Sequence, residues 1–177
     1  MKIVKGLLEL FDQLVDLFWG IGYFGWQIAT VYALYVCIQQ DFIYGILFVI
    51  LFLLSGWLNH GVLKKQIQDL RPANPTLFLA SEEARTRTNG MPSGHTQQTA
   101  FALAVAYLFT HKYLYESIAL FLLTLVQRFV FKNHTLSQLI AGGALGLALG
   151  YTSFFIMRYL EKPIKSVETA TYAEFTT

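Results

Sequence analysis

Apolar residues along this chain fall into long blocks separated by short polar breaks. A helix crossing the hydrocarbon core of a bilayer needs roughly 20 mostly apolar residues. Five segments read as such spans: 18–38, 42–58, 99–114, 118–131 and 136–160. The third and fourth have short apolar cores and must recruit polar flanks. Ahead of them, Ile3, Leu7, Leu10, Phe11, Leu14 and Phe18 recur at helical spacing, interleaved with Lys2, Lys5, Glu9, Asp12, Gln13 and Asp16. That pattern predicts an amphipathic helix over 1–17, lying in the membrane interface or packed on the edge of the bundle. The predicted fold is all-α: an integral membrane helical bundle of five transmembrane helices over 18–160, preceded by the amphipathic helix. Residues 161–177 mix Lys, Glu, Thr and Ala without period and read as a disordered tail.

Two polar stretches break the membrane pattern. The larger, 60–98, carries Lys64, Lys65, Asp69, Arg71, Pro72, Glu82, Glu83, Arg85 and Arg87; the smaller, 127–138, surrounds Lys132 and Asn133. Two predicted crossings separate them, so both lie on one face of the membrane. The turns at 39–41 and 111–113 and the tail lie on the other. Gly142, Gly146 and Gly150 recur every four residues in the last helix, a stripe that allows close approach of a neighbouring helix.

Composition agrees with a membrane protein. Of the 177 residues, 55% are hydrophobic and 14% charged, against about 25% charged in an average soluble domain. A net charge of +2, with no basic stripe or stacking platform, argues against nucleic acid as a partner. The single cysteine, Cys37, lies in an apolar run, so there is no disulfide framework and no thiolate metal site. Glu9, Asp12 and Asp16 interrupt the first 20 residues, which is not the pattern of a cleavable signal peptide.

The polar residues on the shared face suit phosphoryl transfer. Lys64, Arg71 and Arg128 are cations at or near predicted helix ends, and His95 and His134 are candidates for acid–base or nucleophilic work. No Asp/His cluster has two-metal spacing, and no metal or other cofactor is expected. A phosphate must then be neutralised by guanidinium and ammonium groups. One imidazole could attack phosphorus while another protonates the departing oxygen. His60, near a helix end, and His111, at a turn, read as structural. Lys65, Arg85 and Arg87 read as solvated loop charge or lipid contacts. Trp19, Trp26, Trp57 and Tyr113, near predicted helix ends, read as an aromatic belt.

Three motifs in order carry a resemblance. Lys64 through Pro72 reads K-x6-R-P, residues 92–95 read P-S-G-H, and Arg128 with His134 reads R-x5-H. Together they resemble the signature of the type 2 phosphatidic acid phosphatase superfamily, over roughly residues 59–150. The resemblance implies that His134 is the nucleophile and forms a phosphohistidine, with His95 as general acid. It implies that Lys64, Arg71 and Arg128 hold the phosphoryl oxygens, helped by the Ser93 hydroxyl and the Gly94 N–H. The residues agree. Pro-Ser-Gly-His before an apolar run is a turn entering a helix, where free N–H groups favour an anion. Gly94 permits close backbone approach, and Lys64 and Arg71 are two helical turns apart, so one face can present both.

Two positions depart from the family pattern. Gln127 stands where Ser usually precedes the motif Arg, and Gln138 where Asp usually lies four residues past the nucleophilic His. Gln138 can still accept a hydrogen bond from His134 and fix its tautomer, but a neutral amide stabilises an imidazolium less than a carboxylate does. The run 134–138, H-T-L-S-Q, and the run 90–97, G-M-P-S-G-H-T-Q, resemble the dolichyl diphosphate phosphatase branch. The expected activity is hydrolysis of a polyprenyl or dolichyl diphosphate. The alternatives are a phosphatidate-type phosphatase or phosphotransferase, and a silent lipid-binding relative. The implied partner is a membrane lipid with a phosphate or diphosphate headgroup. The family's orientation puts the site on the luminal side of the endoplasmic reticulum membrane or the periplasmic side of a bacterial inner membrane.

Overall fold

A computed structural model describes the backbone of residues 2–76 and 89–175, with side chains over 9–76 and 89–161. Glu82, Glu83, Arg85 and Arg87, and the side chains of Lys2, Ile3, Lys5 and Leu7, lie outside the described residues. The described elements are helical throughout, apart from one isolated antiparallel bridge between Leu70 and Asn89.

The amphipathic start forms α1 (Lys2–Tyr23), which turns at Phe24 into α2 (Gly25–Gln40). Leu10, Phe11, Leu14, Leu17 and Phe18 are exposed along α1, an apolar outer face suited to lipid. The sequence places the boundary at 17–18. The helix instead continues through Tyr23, and the segments on either side of Phe24 meet at 58°. The corner nests on α6 (Leu114–Val130) because two glycines let it approach. A Cβ at Gly22 would come within 2.9 Å of the Leu123 carbonyl oxygen, and one at Gly25 would overlap the Thr124 hydroxyl.

Asp41 ends α2 and caps α3 (Phe42–Trp57), its side chain accepting a bond from the Ile43 N–H at 3.0 Å. That cap satisfies a donor no helical carbonyl can reach. The helix then widens through a π-helical turn (Leu58–Leu63) into the short α4 (Lys64–Ile67). Predicted loop from residue 60 is therefore helix as far as Ile67. α5 (Gly94–Thr110) is the central helix, its Phe101 ring meeting Phe48 and Phe52 of α3 at centroid distances of 6.0 and 5.8 Å. Ala29 and Ala33 of α2, Val105 and Ala106 of α5, and Met157 complete the core.

The last helix, α7 (Leu136–Phe175), lies along α5. Its glycine stripe does what the spacing predicts. A Cβ at Gly142 would sit 2.5 Å from the Ser93 carbonyl oxygen and one at Gly150 would sit 2.7 Å from that of Phe101, while one at Gly146 would overlap the Gln97 carbonyl. Gly146→Val is expected to force the two helices apart and cost roughly 2–3 kcal/mol, read as a lowered unfolding midpoint in detergent. An unchanged midpoint would show that the contact is not tight. The sequence ends this helix at residue 160 with a disordered tail, whereas its backbone stays helical to Phe175. The continuation carries Pro163 in its interior, a residue that local propensity would place at a helix end. At the far end from the glycines, Tyr44 bonds Glu161 and accepts a bond from Arg158 at 3.0 Å, joining α3 to α7.

Among the described residues, two helices are long and apolar enough to cross a membrane, Phe42–Ile67 and Leu136–Glu161, and a third if the bent α1–α2 pair is one span. These are two to three of the five expected spans. α5 and α6 have 17 residues each, about 25 Å at the helical rise against roughly 30 Å of hydrocarbon. The first turns of α5 also carry His95, Thr96, Gln97, Gln98 and Thr99.

Candidate active site

The segments that the crossings place on one face do meet. Gln68 closes α4 in the left-handed region at φ 52, its N–H donating to the Lys64 carbonyl at 3.3 Å, and the chain reverses. The returning strand is pinned by the Leu70–Asn89 bridge, by the Gly90 N–H on the Asp69 carbonyl at 2.6 Å, and by the Asn89 amide on the Lys64 carbonyl at 2.7 Å. At the end of α6 the Arg128 carbonyl accepts from the N–H groups of Asn133 at 3.0 Å and His134 at 3.3 Å. The Thr76 N–H donates to the Phe131 carbonyl at 2.9 Å, and the Ser93 N–H to that of Gln138 at 3.0 Å. Both loops are thus tied to each other and to the start of α7.

A cavity of about 730 Å³ opens here. Lys64, Arg71, Gly94 and His95 line it. Lys64 and Arg71 share the cavity, but not on one helical face as their spacing suggests: α4 stops at Ile67, and Arg71 arrives on the reversed chain. His95 lies between two rings from the α1–α2 corner, Tyr23 at 6.0 Å and Trp26 at 5.9 Å between centroids. His60 and Lys65 are also on the wall. A Cβ at Gly94 would come within 2.9 Å of His60 Nε2, so the missing side chain holds this wall open.

Behind the cavity lies a second, fully buried set: Arg128, His134, Gln138 and Ser93. The Arg128 guanidinium sits 5.4 Å from the centre of the Tyr23 ring. The Ser93 hydroxyl pairs with that of Thr96 at 3.0 Å rather than facing the cavity. Gln138 Oε1 lies 3.0 Å from His134 Nδ1 and accepts from the Thr135 N–H at 3.2 Å, while Nε2 donates to Asp69 Oδ2 at 2.8 Å and to the Leu70 carbonyl at 2.9 Å. Two acceptors on one side and a backbone donor on the other fix which way the amide points. Its oxygen can only accept, so His134 carries its proton on Nδ1 and presents a lone pair at Nε2. That nitrogen is buried without a hydrogen-bond partner among the described residues. Burial first, then the charges of Arg71, Arg128 and Lys64, push the imidazole down to about 2, against the pull of the Gln138 bond. A neutral imidazole with a free Nε2 lone pair is chemically able to act as a nucleophile.

The family model of the PAP2 superfamily matches residues 41–162. The chain belongs to that superfamily. In fold it is similar to a solved transmembrane PAP2-type phosphatidylglycerolphosphate phosphatase from Bacillus subtilis, with a TM-score of 0.59 and 20% identity over 86% of this chain and 78% of that one. No curated protein matches. The chain is therefore a PAP2-superfamily protein with helices long and apolar enough to cross a membrane. The match reaches the superfamily; it does not single out the dolichyl branch.

Several residues of this PAP2 site escape the motif reading. Trp26, read as a belt anchor, and His60, read as structural, both face the cavity, whereas Trp57 and Tyr113 are exposed as a belt requires. Tyr23 enters from the α1–α2 corner, ahead of the matched residues. Asp69 stands between the motif Lys and Arg, and its only sequence signal is being the one acidic residue there. Beneath the cavity, the Gln97 amide bonds Asn59 and donates to the carbonyl and hydroxyl of Ser55, each at 3.0 Å, anchoring α5 to the helix that delivers Lys64. Gln127 is buried next to Arg128, with its Oε1 3.5 Å from the guanidinium.

Proposed function

We propose that this PAP2 phosphatase hydrolyses its lipid phosphate without a metal, through a phosphohistidine on His134. The observation that carries the reading is the Nε2 lone pair, left free by the bond from Nδ1 to Gln138 and backed by Arg71, Arg128 and Lys64. His134 Nε2 forms a bond to phosphorus as the bond from phosphorus to the lipid oxygen breaks, and His95 gives its proton to that oxygen. His95 then takes a proton from water, whose oxygen attacks phosphorus and breaks the N–P bond. Inorganic phosphate leaves and both imidazoles are restored. Lys64, Arg71 and Arg128 balance the charge that develops on the phosphoryl oxygens, with the Gly94 N–H at the start of α5 as a further donor. Ser93 acts on the phosphate only if its hydroxyl leaves Thr96. Because Nε2 is buried, the phosphate must also part the cavity floor to reach it.

In this reading α5 and α6 cross the membrane as well, making five passes and leaving the site at headgroup depth, facing away from the cytosol. The first substrate class is a glycerophospholipid phosphomonoester, the class of lipid that the Bacillus subtilis phosphatidylglycerolphosphate phosphatase is named for. A polyprenyl diphosphate is the second reading. It is favoured by Gln138 within H-T-L-S-Q and by His60 and Lys65, which add donors on the cavity wall for a second phosphate. The test is phosphate release by detergent-purified protein, with chelator present, from phosphatidylglycerol phosphate, phosphatidate and a polyprenyl diphosphate. Release from the phosphomonoesters at the chelator-free rate is expected. Preference for the diphosphate would favour the second reading, and no release from any by folded protein would leave a silent lipid binder.

A further inference from the structure

Where the family pattern puts a carboxylate four residues past the nucleophile, this chain has a neutral amide, and the charge is one residue further away. Asp69, 69 positions earlier in the sequence, accepts the Gln138 amide N–H at 2.8 Å, and the same amide's oxygen lies 3.0 Å from His134 Nδ1. We propose that Asp69 is a positioning residue of this enzyme, supplying through the Gln138 amide the negative charge that steadies His134 during phosphoryl transfer. This rests on the phosphohistidine reading above.

The chemistry follows from the amide's resonance. An N–H held by a carboxylate releases electron density toward the carbonyl oxygen, and hydrogen bonds in series strengthen one another; here His134 and Gln138 are buried and Asp69 is half-buried. As the N–P bond forms at Nε2, the ring becomes cationic and its Nδ1–H a stronger donor to that oxygen. No proton travels along the chain, because the amide does not give one up; the proton stays on Nδ1. The Leu70 carbonyl and the Thr135 N–H stop the amide from flipping, and a flip would present a donor to Nδ1 and move the proton to Nε2. The chain is built for this contact. The Asp69 carbonyl binds the Gly90 N–H at 2.6 Å, and a Cβ at Gly90 would overlap the Gln138 amide.

The test is a charge swap on the full-length protein in detergent, with kcat and KM measured on the lipid phosphate that the wild type hydrolyses fastest. Asp69→Asn keeps an acceptor oxygen and removes the charge. It is expected to lower kcat about tenfold, the difference between a charge-assisted and a neutral hydrogen bond, and to leave KM within about twofold. Gln138→Glu sets two carboxylates against each other and is expected to lower kcat as well. With both changes, the amide introduced at position 69 can donate to the carboxylate introduced at position 138. That carboxylate then meets Nδ1 directly, and kcat is expected to rise above both single variants. Equal wild-type and Asp69→Asn rates, or a double variant no faster than Gln138→Glu, would overturn the relay. The second comparison stands alone if Asp69→Asn does not fold. Phosphate release by His134→Ala would instead remove the phosphohistidine reading, which separates the two failures.

Discussion

His134→Ala is expected to release no phosphate from any lipid that the wild type hydrolyses, a loss of at least about 10⁴-fold in kcat, while the fold persists. The removed ring contributes one donor to Gln138, and the Thr135 N–H still binds the same oxygen at 3.2 Å. The structural cost is accordingly that of one buried hydrogen bond and a small cavity, about 1–3 kcal/mol. His95 lines the cavity beside Tyr23 and Trp26, and in the proposed mechanism it serves the leaving oxygen rather than attacking phosphorus. Rapid quenching of the wild type with labelled lipid phosphate should trap a phosphoprotein that survives alkali and is lost in acid, and the variant should trap none. Turnover in folded His134→Ala protein would sink the mechanism.

Arg128→Lys is expected to lower kcat/KM by about 10²–10³-fold, on the scale of losing a donor aimed at developing charge in a dry site. A conservative exchange fails because an ammonium is a point charge, without the planar fork that holds two phosphoryl oxygens. Arg128 is fully buried at the end of α6, and its carbonyl closes the turn that carries His134. Its backbone role survives the substitution, so the unfolding midpoint should move far less than the activity. A midpoint that falls in step with activity would make Arg128 structural. Lys64, 8% exposed on the cavity wall, offers a contrast within the same measurement: a cation nearer water is worth less, and its loss should fall mainly on KM.

Much of this was legible in one dimension. Each predicted apolar block contains a helix, because burial in lipid or core imposes an uninterrupted apolar run that local composition reports directly. The glycine stripe at 142, 146 and 150 read as a close helix contact, and it meets the backbone of α5 at Ser93, Gln97 and Phe101. The motif residues were legible as well, since phosphate chemistry restricts residue types at fixed spacings; the structure brings Lys64, Arg71, Gly94 and His95 to one cavity and sets Arg128 and His134 behind it.

What the sequence determined by itself was therefore the helical class, the membrane setting and the motif residues proposed to react. Only the tertiary structure decided how they meet. Periodicity describes a helix's own faces, so it assigned Lys64 and Arg71 to one face, when a left-handed residue at Gln68 reverses the chain between them. It could not place Tyr23, Trp26 and His60 around the cavity, because their contacts come from distant segments. Nor does hydropathy report that α5 and α6 have only 17 residues each. The largest gap was Gln138. Read locally, it is a missing carboxylate; in three dimensions its amide reaches Asp69, and a hydrogen bond across 69 positions has no signature in local composition.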